Sequence, residues 1–141
     1  MSSWFKFTYH PYVGEDLKTG ELVEVYRPTV PIAISYKGNL SRLFQSLVDS
    51  GSDRNLFPAS LGESIGIDIK SGDKRPIQGI GKHDIVAYTH KIKIYIERFD
   101  FATEVDFSFE HQAPILGRDG FFKFFKKVIS REKEKSIEFR I

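Results

Sequence analysis

The sequence contains no cysteine, which excludes disulfide cross-links, thiolate nucleophiles and cysteine-based zinc sites. Its four histidines, His10, His83, His90 and His111, are scattered, with no His-x-x-x-His pair, so no metal ligand set is expected. No apolar run approaches the roughly 20 residues that cross a bilayer, which predicts no membrane partner. The start, Met1-Ser2-Ser3-Trp4-Phe5-Lys6, carries no apolar core of a signal peptide, so the expected location is the cytoplasm. Lysine and arginine are interspersed with acids to a net charge of +2 rather than clustered, which argues against a nucleic-acid partner. Gly79-Ile80-Gly81-Lys82 lacks the first glycine of a phosphate loop and the Ser/Thr after its lysine. No nucleophile-elbow pattern supports a Ser-His-Asp triad. Internal repeats and low-complexity segments are also absent.

What is present is one domain's worth of chain, 141 residues, with 13 phenylalanines that point to a core of large rings. Strand signals dominate. Trp4–Tyr9 is aromatic-rich, and Leu22–Tyr26 and Val30–Tyr36 read as strands, the second forming a hairpin with Ser41–Val48 across Lys37-Gly38-Asn39. Pro58–Gly66 reads as a brief helical turn, with proline at its start and glycine at its stop. In Ile85–Glu97, Val86, Tyr88, His90, Ile92, Ile94 and Ile96 share one face and Lys91, Lys93, Tyr95 and Glu97 the other. His90 reads as a core histidine on that apolar face. Val105, Phe107 and Phe109 alternate with Glu104, Asp106 and Ser108 in the next strand. Phe121, Phe124, Phe125 and Val128 follow i, i+3, i+4, i+7 spacing, which predicts an amphipathic helix. The mixed charges of 126–135 then form its solvated end and a turn, and Ile137, Phe139 and Ile141 alternate in a last strand. The expected class is mostly β, a small closed barrel with one C-terminal α-helix.

The residues that carry chemistry begin at Leu47-Val48-Asp49-Ser50-Gly51-Ser52, where an apolar strand delivers an aspartate into a tight turn. The strand end holds the carboxylate still, the serine hydroxyl can bond backbone, and the glycine lets another backbone approach. Two such carboxylates facing each other cannot both ionise, so one serves as general base on a water and the other as acid. Asp-Ser-Gly is equally an ordinary turn sequence, because Asp and Ser bond their own backbone. The context decides between the two. Leu47–Asp53 resembles the active-site loop of retropepsins, the single-domain aspartic proteases of retroviruses and their relatives. Ile115-Leu116-Gly117-Arg118-Asp119 resembles their second signature, and Pro76-Ile77-Gln78-Gly79-Ile80-Gly81 resembles their glycine-rich flap. The resemblance covers residues 30–141 and leaves 1–29 as an N-terminal strand extension.

It implies an acid-protease fold and an aspartic endopeptidase. Asp49 would be catalytic, with Ser50, Gly51 and Ser52 completing the loop. Ser50 would lock the two loops across a two-fold axis, and Gly51 would present backbone to substrate. Asp53 and Arg118 resemble a buried intrasubunit pair beside that loop, a pairing that a guanidinium makes bidentately. Ile115, Leu116 and Gly117 would support the loop from below, and Gly79, Ile80 and Gly81 would form the flap over the substrate. Two departures stand out: Ser50 where viral enzymes usually have threonine, and Arg54, a basic neighbour for a substrate cleft. One Asp-Ser-Gly copy makes half a site, so the expected partners are a second copy of the chain and a peptide or protein substrate, with no cofactor. The alternative is a peptide-binding or dimerisation module on the same fold without catalysis.

Overall fold

Where the sequence alternates, the structure makes strands. A computed structural model describes residues 3–78 and 84–141. In chain order the strands are β1 (Trp4–Thr8), β2 (His10–Glu15), β3 (Leu22–Arg27), β4 (Thr29–Tyr36), β5 (Asn39–Leu40), β6 (Phe44–Val48) and β7 (Leu56–Pro58). Helix α1 (Ala59–Glu63) follows, then β8 (Asp73–Gln78), β9 (Asp84–Ile96), β10 (Phe99–Ser108), β11 (Ile115–Leu116), β12 (Lys127–Arg131) and β13 (Ser136–Arg140). The main sheet runs β5-β4-β6-β11-β7-β10-β9-β8, and β4 pairs again with β9 through Ala33↔Tyr95 to Ser35↔Lys93. That second pairing closes six strands, β4-β6-β11-β7-β10-β9, into a barrel. Closure removes the free edges that an open sheet of this size exposes.

Hydrophobic alternation fills the barrel. Val30, Ile32 and Ile34 of β4, Ile92, Ile94 and Ile96 of β9, and Val105 and Phe107 of β10 are buried together with Phe57 and Leu116. A second sheet, β1-β13-β12, lies against a phenylalanine cluster. There the Phe125 ring sits 5.0 Å from both Phe121 and Phe139, and the Phe101 ring stacks on Phe124 at 4.1 Å. Each fully buried ring contributes roughly 1.5–3 kcal/mol by removal from water, so phenylalanines dominate this second cluster while valine and isoleucine fill most of the barrel.

The Pro58–Gly66 turn forms as read: α1 begins after Pro58 and closes at Gly66, whose φ of +89° suits glycine alone. The C-terminal helix does not. Phe122–Phe124 makes one 3-10 turn, Phe125 is already extended (φ −110°, ψ 149°), and the chain enters β12. Lys126 N–H donates to the Arg140 carbonyl at 2.7 Å, and Lys127–Arg131 pairs along β13. Helical spacing over about ten residues is too short to hold a helix in water without packing. Here a turn followed by a strand delivers Phe121, Phe125 and Val128 to the same cluster while β13 satisfies the backbone. A second correction concerns a face: Asp106, expected on a polar face, is buried, because an arginine from another loop covers it.

Candidate active site

Strand β6 ends at Val48, and two neighbouring segments take hold of the chain as it leaves. Leu47 N–H donates to the Pro114 carbonyl (2.9 Å), Val48 N–H to that of Pro28 (2.9 Å) and Asp49 N–H to that of Leu116 (3.0 Å). Strand β11 lies parallel to β6, with Ile115 opposite Leu47 and Leu116 opposite Val48. The loop then tightens on itself. Ser52 N–H donates to the Asp49 carbonyl at 3.1 Å, and Gly51 N–H donates to Asp49 Oδ1 at 2.9 Å. Asp49 is half-buried, while Ser50 and Gly51 are exposed. The result is a carboxylate at a rigid strand end with one oxygen already oriented by a backbone donor.

The second signature braces the first. Arg118 N–H donates to the Ser52 carbonyl (2.8 Å) and Asp119 N–H to that of Asp53 (2.7 Å). Gly117 lies so close to the active loop that a Cβ on it would sit 2.5 Å from the Arg54 carbonyl oxygen, so a side chain there would force two backbones apart. Ile115, Leu116 and Gly117 therefore lie beside the loop. The Asp53 and Arg118 side chains are both exposed and form no ion pair with each other; their segments meet backbone to backbone. The ion pair that the loop does make is one residue on. Arg54 donates from Nε to Asp106 Oδ2 (2.6 Å) and from Nη2 to Oδ1 (2.9 Å), and Thr89 Oγ1 donates to Asp106 Oδ1 at 2.6 Å. Asp106 is fully buried, and its bonds to Arg54 hold the guanidinium above its ordinary pKa against the opposing effect of burial. Arg54, read from sequence as a basic neighbour of the substrate cleft, is instead the bolt between the active loop and β10, and through Thr89 reaches β9.

Chemistry-bearing spacing does not reveal Asn55, yet it ties the Asp49 loop to the 117–120 loop and to β10. Its amide donates to the carbonyls of Gly120 (2.8 Å) and Glu104 (3.1 Å) and accepts from Gly117 N–H (3.0 Å). The one signal was its place directly after the active loop and before an apolar strand. A cavity of about 320 Å³ opens beside this knot, lined by Arg54, Lys91, Glu104, Asp119, Lys123 and Phe124 among others. Asp49 does not line it, so the enclosed space beside the loop in a single copy is not at the carboxylate. Gly79, Ile80 and Gly81 lie outside the described residues; the strands they join, β8 and β9, pair antiparallel up to Gln78↔Asp84.

No model of a known protein family and no curated protein matches the chain. Solved structures do. A retropepsin-like aspartic protease from Rickettsia conorii superposes with a TM-score of 0.59 at 9% identity, over 99% of this chain and 94% of that one. This chain has the retropepsin-like fold. The protease of EIAV, solved with the inhibitor HBY-793, is a further match at 21% identity and a TM-score of 0.49, over 66% of this chain and 83% of that one. On the retropepsin-like fold the β6 end, the β11 brace and the β8–β9 hairpin come from segments distant in sequence. Barrel closure is what brings the first two together at Asp49.

Proposed function

We propose that the chain is an aspartic endopeptidase whose active site forms between two copies, each contributing Asp49. The observation that carries this reading is the held carboxylate: Asp49 at the end of β6, half-buried, with Gly51 N–H at 2.9 Å on Oδ1 and Leu116 bracing its backbone. One carboxylate cannot act as base and acid in the same step, and the chain has one Asp-Ser-Gly turn. A two-fold axis through the loop supplies the other. The ionised member of the pair takes a proton from a water, whose oxygen bonds to the scissile carbonyl carbon. The protonated member gives its proton to the carbonyl oxygen. Collapse of the hydrated intermediate breaks the C–N bond as a proton passes to the leaving amine. The substrate lies extended beneath the β8–β9 hairpin, with Ser50, Gly51 and Ser52 at its backbone and Gly79, Ile80 and Gly81 over it. No cofactor enters this chemistry.

Digestion of a peptide library from acidic to neutral pH, with parent and Asp49→Asn side by side, tests it. The parent should cleave best at mildly acidic pH, where the pair holds one shared proton, and lose activity on both sides. Asp49→Asn should abolish cleavage and leave the melt close to the parent's. Cleavage that persists in the variant, or a dimeric parent that cleaves nothing at any pH, refutes the catalytic reading; the latter leaves a peptide-binding module.

A further inference from the structure

Between β1 and the barrel the chain makes a detour, β2 and β3, that among the described residues pairs only with itself: a two-stranded sheet with register His10↔Arg27 through Glu15↔Leu22. Residues directly opposite in an antiparallel pair share a face, so the register sorts the arm into two sides. One carries Tyr12 and Val25, both half-buried, with Tyr12 Oη bonded to Thr29 Oγ1 at 3.2 Å; this side leans on the body. The other carries Val13, Leu22 and Tyr26 together with Glu15 and Glu24; Lys135 Nζ of the body covers the Tyr26 ring at 5.6 Å, so the open part of this side is Val13 and Leu22 with the two glutamates. Val13 and Leu22 are 75% and 78% exposed, and Leu17 at the connecting turn is 98% exposed. An isolated two-stranded hairpin is marginal in water, and this one displays its larger apolar residues outward.

Two observations say what covers that side. The first is where the arm is rooted. Its exit residue, Pro28, accepts the Val48 N–H at 2.9 Å, one residue from Asp49. The paired Asp49 carboxylates of the proposed enzyme must meet at the two-fold axis, so an arm that leaves the barrel beside Asp49 leaves it beside the seam between copies. The second is charge. The arm, residues 10–27, holds Glu15, Asp16, Glu21 and Glu24 against Lys18 and Arg27, a net charge of −2. The whole chain carries +2, so the remainder carries +4. Its outward side bears carboxylates and no lysine or arginine, which suits a basic body and disfavours another arm.

We infer that the β2–β3 arm is a clasp that closes over the body of a second copy of this chain, burying Val13 and Leu22 at the dimer seam and setting Glu15 and Glu24 against its basic surface. The inference rests on the two-copy reading of Asp49 and goes beyond it by naming the element that holds the copies together. Sedimentation velocity across a wide concentration range, on the parent, Val13→Lys/Leu22→Lys and Glu15→Lys/Glu24→Lys, tests it. All four positions lie on an exposed strand face, so the variants should keep the parent's far-ultraviolet circular dichroism, and their melts should fall only as far as weaker association lowers them. The expected result is a dimer dissociation constant at least tenfold higher in both variants, with the glutamate pair losing most of its deficit in high salt, where charge contacts are screened. A dimeric parent whose dissociation constant is unchanged in both variants overturns the clasp and leaves the Asp49 pairing standing. A parent that is monomeric at every concentration overturns both.

Discussion

Arg54→Ala is the substitution that most directly tests how the active loop is held. The change removes both donors of a bidentate pair and leaves Asp106 fully buried, with Thr89 Oγ1 as its remaining side-chain donor. Breaking a buried ion pair from one side costs about 3–5 kcal/mol, because the orphaned charge is still out of water. The Arg54 side chain is 31% exposed, so water can enter where the guanidinium was and recover part of that cost. The net loss should be about 2–3 kcal/mol, which for a domain of this length lowers Tm by roughly 6–12 °C. Denaturant unfolding at fixed protein concentration, with an unchanged m-value, measures it. Arg54→Lys should recover little, since an ammonium cannot span both carboxylate oxygens. The double variant Arg54→Ala/Asp106→Ala should lose clearly less than the two single losses added, because no charge is left stranded. Arg118→Ala is the contrast, and should stay within about 0.5 kcal/mol of the parent. An Arg54→Ala protein that also stays within that margin, or a cycle with no coupling, would show that the pair does not hold the loop.

Further outcomes follow from other contacts. Asn55→Asp keeps the shape but turns a carboxylate oxygen toward the Gly120 and Glu104 carbonyls, so it should destabilise by about 2 kcal/mol or more near neutral pH. Part of that loss should return in acid, where the protonated side chain can donate; a loss that ignores pH would contradict the assignment. Glu138 accepts from Arg140 Nε at 2.6 Å and Arg131 Nη1 at 3.0 Å, and these bonds, Arg140 first, hold its pKa below the ordinary 4.5 despite the opposing effect of burial. Its stabilisation is therefore complete above about pH 4.5 and is lost as pH falls through the lower folded value. Glu138→Gln should flatten that part of the acid limb of the stability curve, and an acid limb identical to the parent's would refute it.

How much of this was legible depends on how far apart the interacting residues lie in the chain. The period-2 pattern in Ile85–Glu97 and in Ile137–Ile141 is a property of neighbours, and both segments are strands. Pro58 and Gly66 mark the two ends of α1 by their own backbone preferences. Asp49-Ser50-Gly51 likewise writes its turn locally: the Asp49 carboxylate meets Gly51 N–H two residues on, whatever the rest of the chain does. The tertiary structure alone decided the rest. The spacing Phe121, Phe124, Phe125, Val128 is compatible with a helix or with a turn leading into a strand. The partner that chooses between them is β13, which offers Lys127–Arg131 a ladder and Phe121 and Phe125 the Phe139 ring. Asp106 alternates as a polar position should, and is buried because Arg54, 52 residues earlier, reaches it once β7 pairs with β10. Asp53 and Arg118 fall in the right motifs for a pair, yet barrel closure aligns their backbones and leaves their side chains outside. A sequence specifies the interactions it makes with itself over a few residues; those made across the closed barrel exist only after the loops have met, and it is these that hold the Asp49 loop in place.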